Sequence, residues 1–186
     1  MNIIWRERYK PLLEKIVNRK DQVNKILDFL ENKTNWLTAP ASTKYHLDRD
    51  GGLIDHSVGV THTLLKLKNI LVPEIPNESC VVIGLFHDIG KVGMAGKPYY
   101  IKLKIPTKDG KKYIINKDLA AMGIAARSLM LISKFISLSD NEAQAIAYHD
   151  GQYIPEGKIV AHRESALTLL LHYADYWTSH ILERGE

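Results

Sequence analysis

A single cysteine, Cys80, stands among the 186 residues, so no intrachain disulfide can form. That usage suits a reducing compartment, and a cytoplasmic location is expected. No apolar run approaches the ~20 residues that cross a bilayer, so no membrane partner is expected. The opening stretch from Met1 to Arg8 is apolar for too short a run to be a signal peptide. Charge of one sign is also lacking: 25 basic against 21 acidic residues leave +4, too mild an excess to argue by itself for nucleic acid. Internal repeats and low-complexity tracts are absent. What is present is 45% hydrophobic and 25% charged residues, the balance of one globular domain of ordinary size.

Hydrophobic spacing predicts helix over most of the chain. Leu12, Leu13, Ile16 and Val17, then Val23, Ile26, Leu27, Phe29 and Leu30, keep the spacing of one buried face. Residues 1–45 are therefore expected to form a helical cap packed on a main domain of residues 46–186. Trp36 to Ser42 reads as a connector. After Gly51-Gly52 a long helix carries Leu53, Val60, Leu64, Leu67 and Leu71 as its stripe, and Pro73 and Pro76 end it. The run from Ser79 to Asp88 is apolar on all sides and belongs in the core, with Cys80 as a small buried hydrophobe. Over residues 99–116 the pattern changes to alternation, and Asp109-Gly110 signals a hairpin turn. Helix resumes near Leu119. Ser139 followed by Glu142 fits a capping box that opens a further helix. A last helix is expected from about Arg163 to Leu182.

The histidines and aspartates within these apolar stretches are the candidate functional residues. His87-Asp88 closes the buried helix, where an ionised carboxylate is costly unless a cation pairs with it. Asp175 follows Leu171 by four and Leu167 by eight residues, along the same buried stripe. His56 shares a face with Val60 and Thr63, whereas His62 points to solvent. Three separate helices thus each aim a ligand-type side chain inward. Imidazole with carboxylate is a common donor set for divalent transition metals.

These residues, in this order, resemble the signature of the HD superfamily of metal-dependent phosphohydrolases. Gly51-Gly52-Leu53-Ile54-Asp55-His56-Ser57 is similar to its first ligand segment. Leu85-Phe86-His87-Asp88-Ile89-Gly90-Lys91 is similar to its central doublet, and Leu171-His172-Tyr173-Ala174-Asp175 to its last helix. The resemblance covers roughly residues 38 to 180. Within the superfamily the chain most resembles small phage and bacterial HD hydrolases and the HD domains of certain 3'-to-5' exoribonucleases. The resemblance implies an all-α helical bundle with a short β-hairpin insertion. It also implies one divalent metal ion (Mn, Zn, Fe, Ni, Co or Mg) held by His56, His87, Asp88 and Asp175. Many of these relatives carry a further histidine after the hairpin. The matching stretch here, Ala121 to Ser128, has none, so a second ion would fall to His149. Nucleotidases of the superfamily usually carry glutamate where this chain has Lys91.

The implied chemistry is hydrolysis of a phosphoester or phosphoanhydride in a nucleotide or short nucleic-acid end. Asp88, Lys91 and His149 are the expected catalytic residues, and His46, Lys91 and His149 the expected substrate contacts. His172, one turn before Asp175, is expected to support it, while His162 and His180 are expected to be structural or exposed. Seven lysines between Lys97 and Lys117 would let the hairpin act as a flap that attracts a polyanion. Two other readings stay open: a 3'-to-5' exonuclease-like phosphodiesterase, and a nucleotide-binding module without turnover. A homo-oligomer also stays open.

Overall fold

The computed structural model describes residues 2–184, with side chains from Arg6 onward. It is an all-α bundle carrying one two-stranded hairpin. In chain order the helices are α1 (Asn2–Leu13), α2 (Lys20–Lys33), α3 (Gly52–Leu71), α4 (Asn77–Phe86), α5 (Ile124–Ile132), α6 (Asp140–Ala147) and α7 (Ala166–Trp177). Helix α3 packs along both α4 and α7, and α6 packs against α4, α5 and α7. No helix among the described residues is long and apolar enough to cross a membrane.

Helix α4 is buried on every side, from Cys80 through Phe86, as its all-apolar sequence requires. Gly84 sets its distance from α3. A Cβ there would lie 2.5 Å from Thr61 Oγ1, so only glycine lets the two helices approach this closely. That approach matters because α3 carries His56 and α4 ends at His87. Tyr9 and Leu12 of α1, and Val23, Ile26, Leu27 and Leu30 of α2, join the same apolar cluster as the core of α3, α4 and α7. Helix α6 opens with the expected capping box: Ser139 Oγ accepts from Glu142 N, and Glu142 Oε2 accepts from Ser139 N at 2.8 Å.

Several expectations need correction. Helix α1 ends at Leu13, so Val17 leaves the predicted face and is 70% exposed. The stretch Trp36 to Ser42 is an irregular connector, as expected, but it is built into the core. Trp36, Ala39 and Ala41 are buried, and the Ala39 carbonyl accepts from Leu53 N at the start of α3. Leu71, in the last turn of α3, is exposed. Residues 119–123 are not helical; α5 begins only at Ile124, after Gly123. Helix α7 does not run on to Leu182 as an α-helix, because residues 178–182 form a π-turn that leaves Leu182 in solvent.

The hairpin pairs β1 (Tyr100–Lys102) with β2 (Tyr113–Ile115), antiparallel, with Tyr100 opposite Ile115. Tyr100 and Tyr113 turn inward while Ile101, Ile114 and Ile115 are exposed. The hairpin lies on the loop before α3, where Lys112 N donates to the Thr43 carbonyl. Three of its seven lysines face carboxylates. Lys102 Nζ reaches Asp50 at 3.0 Å, Lys112 Nζ reaches Asp48 at 2.7 Å, and Lys111 Nζ reaches Asp109 at 3.2 Å. The expected flap of unpaired positive charge is therefore much reduced, since three of its cations face nearby carboxylates.

Candidate metal centre

Three imidazoles meet at the junction of α3, α4 and α6. His87 is the C-cap of α4, and its Nδ1 lies 2.9 Å from the carbonyl of Gly84. His149, just past α6, repeats the arrangement, with Nδ1 2.8 Å from the carbonyl of Ile146. A carbonyl only accepts, so each Nδ1 carries a proton, and Nε2 is the nitrogen left to face the centre and to bind a cation when it is itself unprotonated. His56 reaches the same result differently. Its Nδ1 donates to the carboxylate of Glu183 at 3.1 Å.

The three Nε2 atoms converge on two carboxylates. His56 Nε2 is 3.2 Å from Asp175 Oδ1 and 3.6 Å from Asp88 Oδ2. His87 Nε2 lies 3.6 Å from Asp88 Oδ2, and His149 Nε2 lies 3.6 Å from Asp88 Oδ1. His87 Nε2 is buried with no hydrogen-bond partner among the described residues. A lone pair facing a carboxylate oxygen is repulsive unless something positive stands between them. Without a cation, a proton fills that place on His56 and His149, while His87 stays neutral. Burial pushes the His56 and His149 imidazolium forms down. Bonds to Asp175 and Glu183 in the one case, and to Asp88 in the other, overcome it and lift them to about 10 and about 9. Burial keeps His87 neutral, down to about 4. The donor set draws positive charge and fits a divalent cation: two groups, His56/His87/Asp175 and His87/Asp88/His149, each place their donor atoms within 4.8 Å of one another.

Lys91 comes from the 3₁₀ turn Ile89–Val92 that follows the doublet. Its Nζ lies 2.5 Å from Asp88 Oδ2, and its side chain is 12% exposed. Burial works against this ammonium, but Asp88 outweighs it and holds Lys91 charged well above the ordinary lysine range. The turn itself is fixed by Gly90 N donating to Ser128 Oγ on α5. His46 stands on the loop before α3, half-buried, its ring 5.1 Å from that of His56. Burial, with the charges of His56 and Lys91, lowers it to about 4, so it is neutral near pH 7.

Every candidate residue, His46, His56, His87, Asp88, Lys91, His149 and Asp175, falls in this one region. All but His87 line a cavity of about 300 Å³ that opens beside the cluster. His172 does not support Asp175 as expected; its Nδ1 donates to the carbonyl of His149 at 2.7 Å. His162 is exposed, and His180 is exposed at the cavity wall. Glu183 escaped sequence reading. An α-helix would turn it roughly 80° away from Asp175, eight residues earlier. The extra residue of the π-turn returns it to roughly the same face.

A match to the HD domain family spans residues 53–177, which runs from the start of α3 to the end of α7. The chain belongs to the HD domain family. HD domains are in general metal-dependent phosphohydrolases, and the buried His/Asp cluster is compatible with metal binding. No curated protein and no solved structure matches the chain significantly.

Proposed function

We propose that this HD domain hydrolyses a phosphoester or phosphoanhydride bond of a nucleotide, with one divalent ion held by His56, His87, Asp88 and Asp175. His149, read from sequence as a catalytic residue and substrate contact, joins them as a further donor because its Nε2 faces Asp88 Oδ1 at 3.6 Å. The observation that carries this reading is the convergence of three imidazole Nε2 atoms on two carboxylates beside an open cavity. A divalent cation in such a set supplies Lewis-acid stabilisation of charge that develops on a phosphoryl group. Lys91 adds a fixed positive charge at the cavity edge, where a phosphate oxygen would sit. Neutral His46 lines the same space with an Nε2 that has no hydrogen-bond partner among the described residues, the nearest carboxylate, Glu183, lying 3.9 Å away. Carboxylates face three of the seven hairpin lysines, which weakens the basic track a long polyanion would follow and favours a small substrate over processive cleavage of a strand.

Purified protein is expected to carry close to one divalent transition ion per chain, and His87→Ala to lose it. A panel of nucleoside mono-, di- and triphosphates, cyclic dinucleotides and short oligonucleotides should yield a hydrolysed substrate, with turnover abolished by chelator. Full activity in chelator, or in metal-free protein of normal fold, would sink the reading.

Glu183 is a positioning residue in this scheme, acting through His56. Outer carboxylates that fix a ligand histidine are worth about 10- to 100-fold in metal affinity. Glu183→Ala should lose that much in a calorimetric metal titration. Glu183→Gln, which keeps an oxygen acceptor for His56 Nδ1–H, should recover most of it. Nitrogen chemical shifts of His56 should report a mixed tautomer in the alanine variant alone. Equal affinity in all three proteins would remove Glu183 from the scheme.

A further inference from the structure

A second cavity, of about 400 Å³, adjoins the first and shares Tyr153 and His172 with it. Both volumes lie near the lower end for small-molecule sites, room for about one ring system each. Their chemistry differs. The first is walled by Lys91, histidines and the carboxylates Asp88, Asp150 and Asp175, a set whose cation and metal-donor groups can hold a phosphate once a divalent ion is bound; the second is walled by Tyr148, Gln152, Tyr153, Glu164, Leu169 and neighbours, with no lysine or arginine and no such donor set. We propose that this second cavity seats the nucleoside moiety of the substrate, its base stacked on Tyr153 and an N–H edge donated to Glu164. The proposal rests on the phosphohydrolase reading for its phosphate end.

Polarity argues for this orientation. A phosphate placed beside Glu164 would meet a like charge, because backbone N–H groups of residues 162–164 and the Gln152 side chain hold that carboxylate ionised. The same carboxylate is a good acceptor for amide or amino N–H groups, which a nucleobase has and a phosphate lacks. Tyr153 is 73% exposed yet not loose. Its ring stacks on Tyr176 at 5.7 Å and 22°, and its hydroxyl donates to that of Tyr176 at 3.0 Å. A large aromatic surface held in solvent beside a cavity is a preorganised stacking platform.

The far wall is also built in advance. Gln144 of α6 accepts from Ser165 N at 2.7 Å and from Thr168 Oγ1 at 2.9 Å, and donates to the Arg163 carbonyl at 3.3 Å. That pins the segment bearing Glu164. Gly151, at φ +62°, lets the opposite loop close on His172; a Cβ there would come within 2.4 Å of the ring.

The test uses metal-loaded full-length protein and two kinds of probe. Phosphate-free nucleosides (guanosine, adenosine, cytidine and uridine) are titrated by calorimetry. Hydrolysis of the matching monophosphates is compared with that of p-nitrophenyl phosphate, as a ratio of kcat/KM. At least one nucleoside should bind without phosphate. Tyr153→Ala and Leu169→Trp, the latter filling the cavity from a half-exposed position, should each weaken it about tenfold or more. The kcat/KM ratio should fall by the same factor. Glu164→Gln should change which base is preferred. Absence of nucleoside binding, or an unchanged ratio in both variants, overturns the subsite even if p-nitrophenyl phosphate is hydrolysed. Nucleoside binding lost in the variants, with no hydrolysis of any phosphate, keeps the subsite and defeats the phosphohydrolase reading instead.

Discussion

Asp88→Asn is expected to abolish divalent-metal binding and hydrolysis together, lowering metal affinity by more than the ~100-fold ceiling of outer-shell changes. The reason is its central position. One oxygen lies 2.5 Å from Lys91 Nζ and 3.6 Å from both His56 and His87 Nε2, and the other lies 3.6 Å from His149 Nε2. An amide keeps the shape but removes the charge that makes those lone pairs tolerable only around a cation. The same change should cost metal-free protein about 3 kcal/mol, because Lys91 is left largely buried without its counter-charge. Lys91→Met separates the two effects. Alone it should lower turnover and leave the metal bound. Combined with Asp88→Asn it should return about 1–3 kcal/mol of stability, measured by urea unfolding as a coupling energy, without restoring metal affinity. If Asp88→Asn binds metal within a few-fold of wild type, Asp88 is a partner of Lys91 only and the centre must be built from the remaining donors.

The legibility of this site in the sequence followed the depth of each element. His87-Asp88 ends a helix with no polar face, and Asp175 lies on a leucine stripe, so their anomaly could be read from spacing alone. The all-α class and the hairpin followed from the same periodicity, as did the Ser139/Glu142 box. Features set by contact rather than period were out of reach. The inward aim of His149 Nε2 depends on Nδ1 reaching the Ile146 carbonyl as α6 ends, a local geometry that no residue pattern marks. Glu183 depends on one inserted residue in a π-turn. The lysine-rich hairpin read as a free cationic flap because its Asp48 and Asp50 partners lie more than fifty residues earlier. Leu71 and Leu182 fit the apolar spacing of their helices in sequence yet are exposed, Leu182 because the π-turn shifts it off the face of α7.

Arg19 is the clearest case of a long-range contact without a local signal, and it carries the largest expected effect on folding. It sits between α1 and α2 and joins segments 59 and 123 residues away. Its Nε donates to Glu78 at 2.7 Å, and its two terminal nitrogens grip both oxygens of Glu142 at 2.7 and 3.0 Å. Glu78 also accepts from the backbone of Val17 and Asn18 at 2.5 and 2.7 Å. One guanidinium thus ties the turn after α1 to the starts of α4 and α6, in the paired-fork geometry that suits arginine and not lysine. Arg19→Met should destabilise the chain by about 3–5 kcal/mol, since two largely buried carboxylates lose their counter-ion, and Arg19→Lys should recover only part of it. The pH dependence has a fixed sign. Burial would raise both glutamates, but Arg19 and the backbone N–H bonds win and lower them below the ordinary value. A depressed carboxylate contributes stability that is fully present above its unfolded pKa, about 4.3, and is lost as pH falls through the folded value. The gap between wild type and Arg19→Met, followed by urea unfolding, should therefore be widest near neutrality and close as the solution is acidified below about pH 4. A gap that stays constant through that range would mean the glutamates are held by their backbone bonds, with Arg19 contributing packing alone.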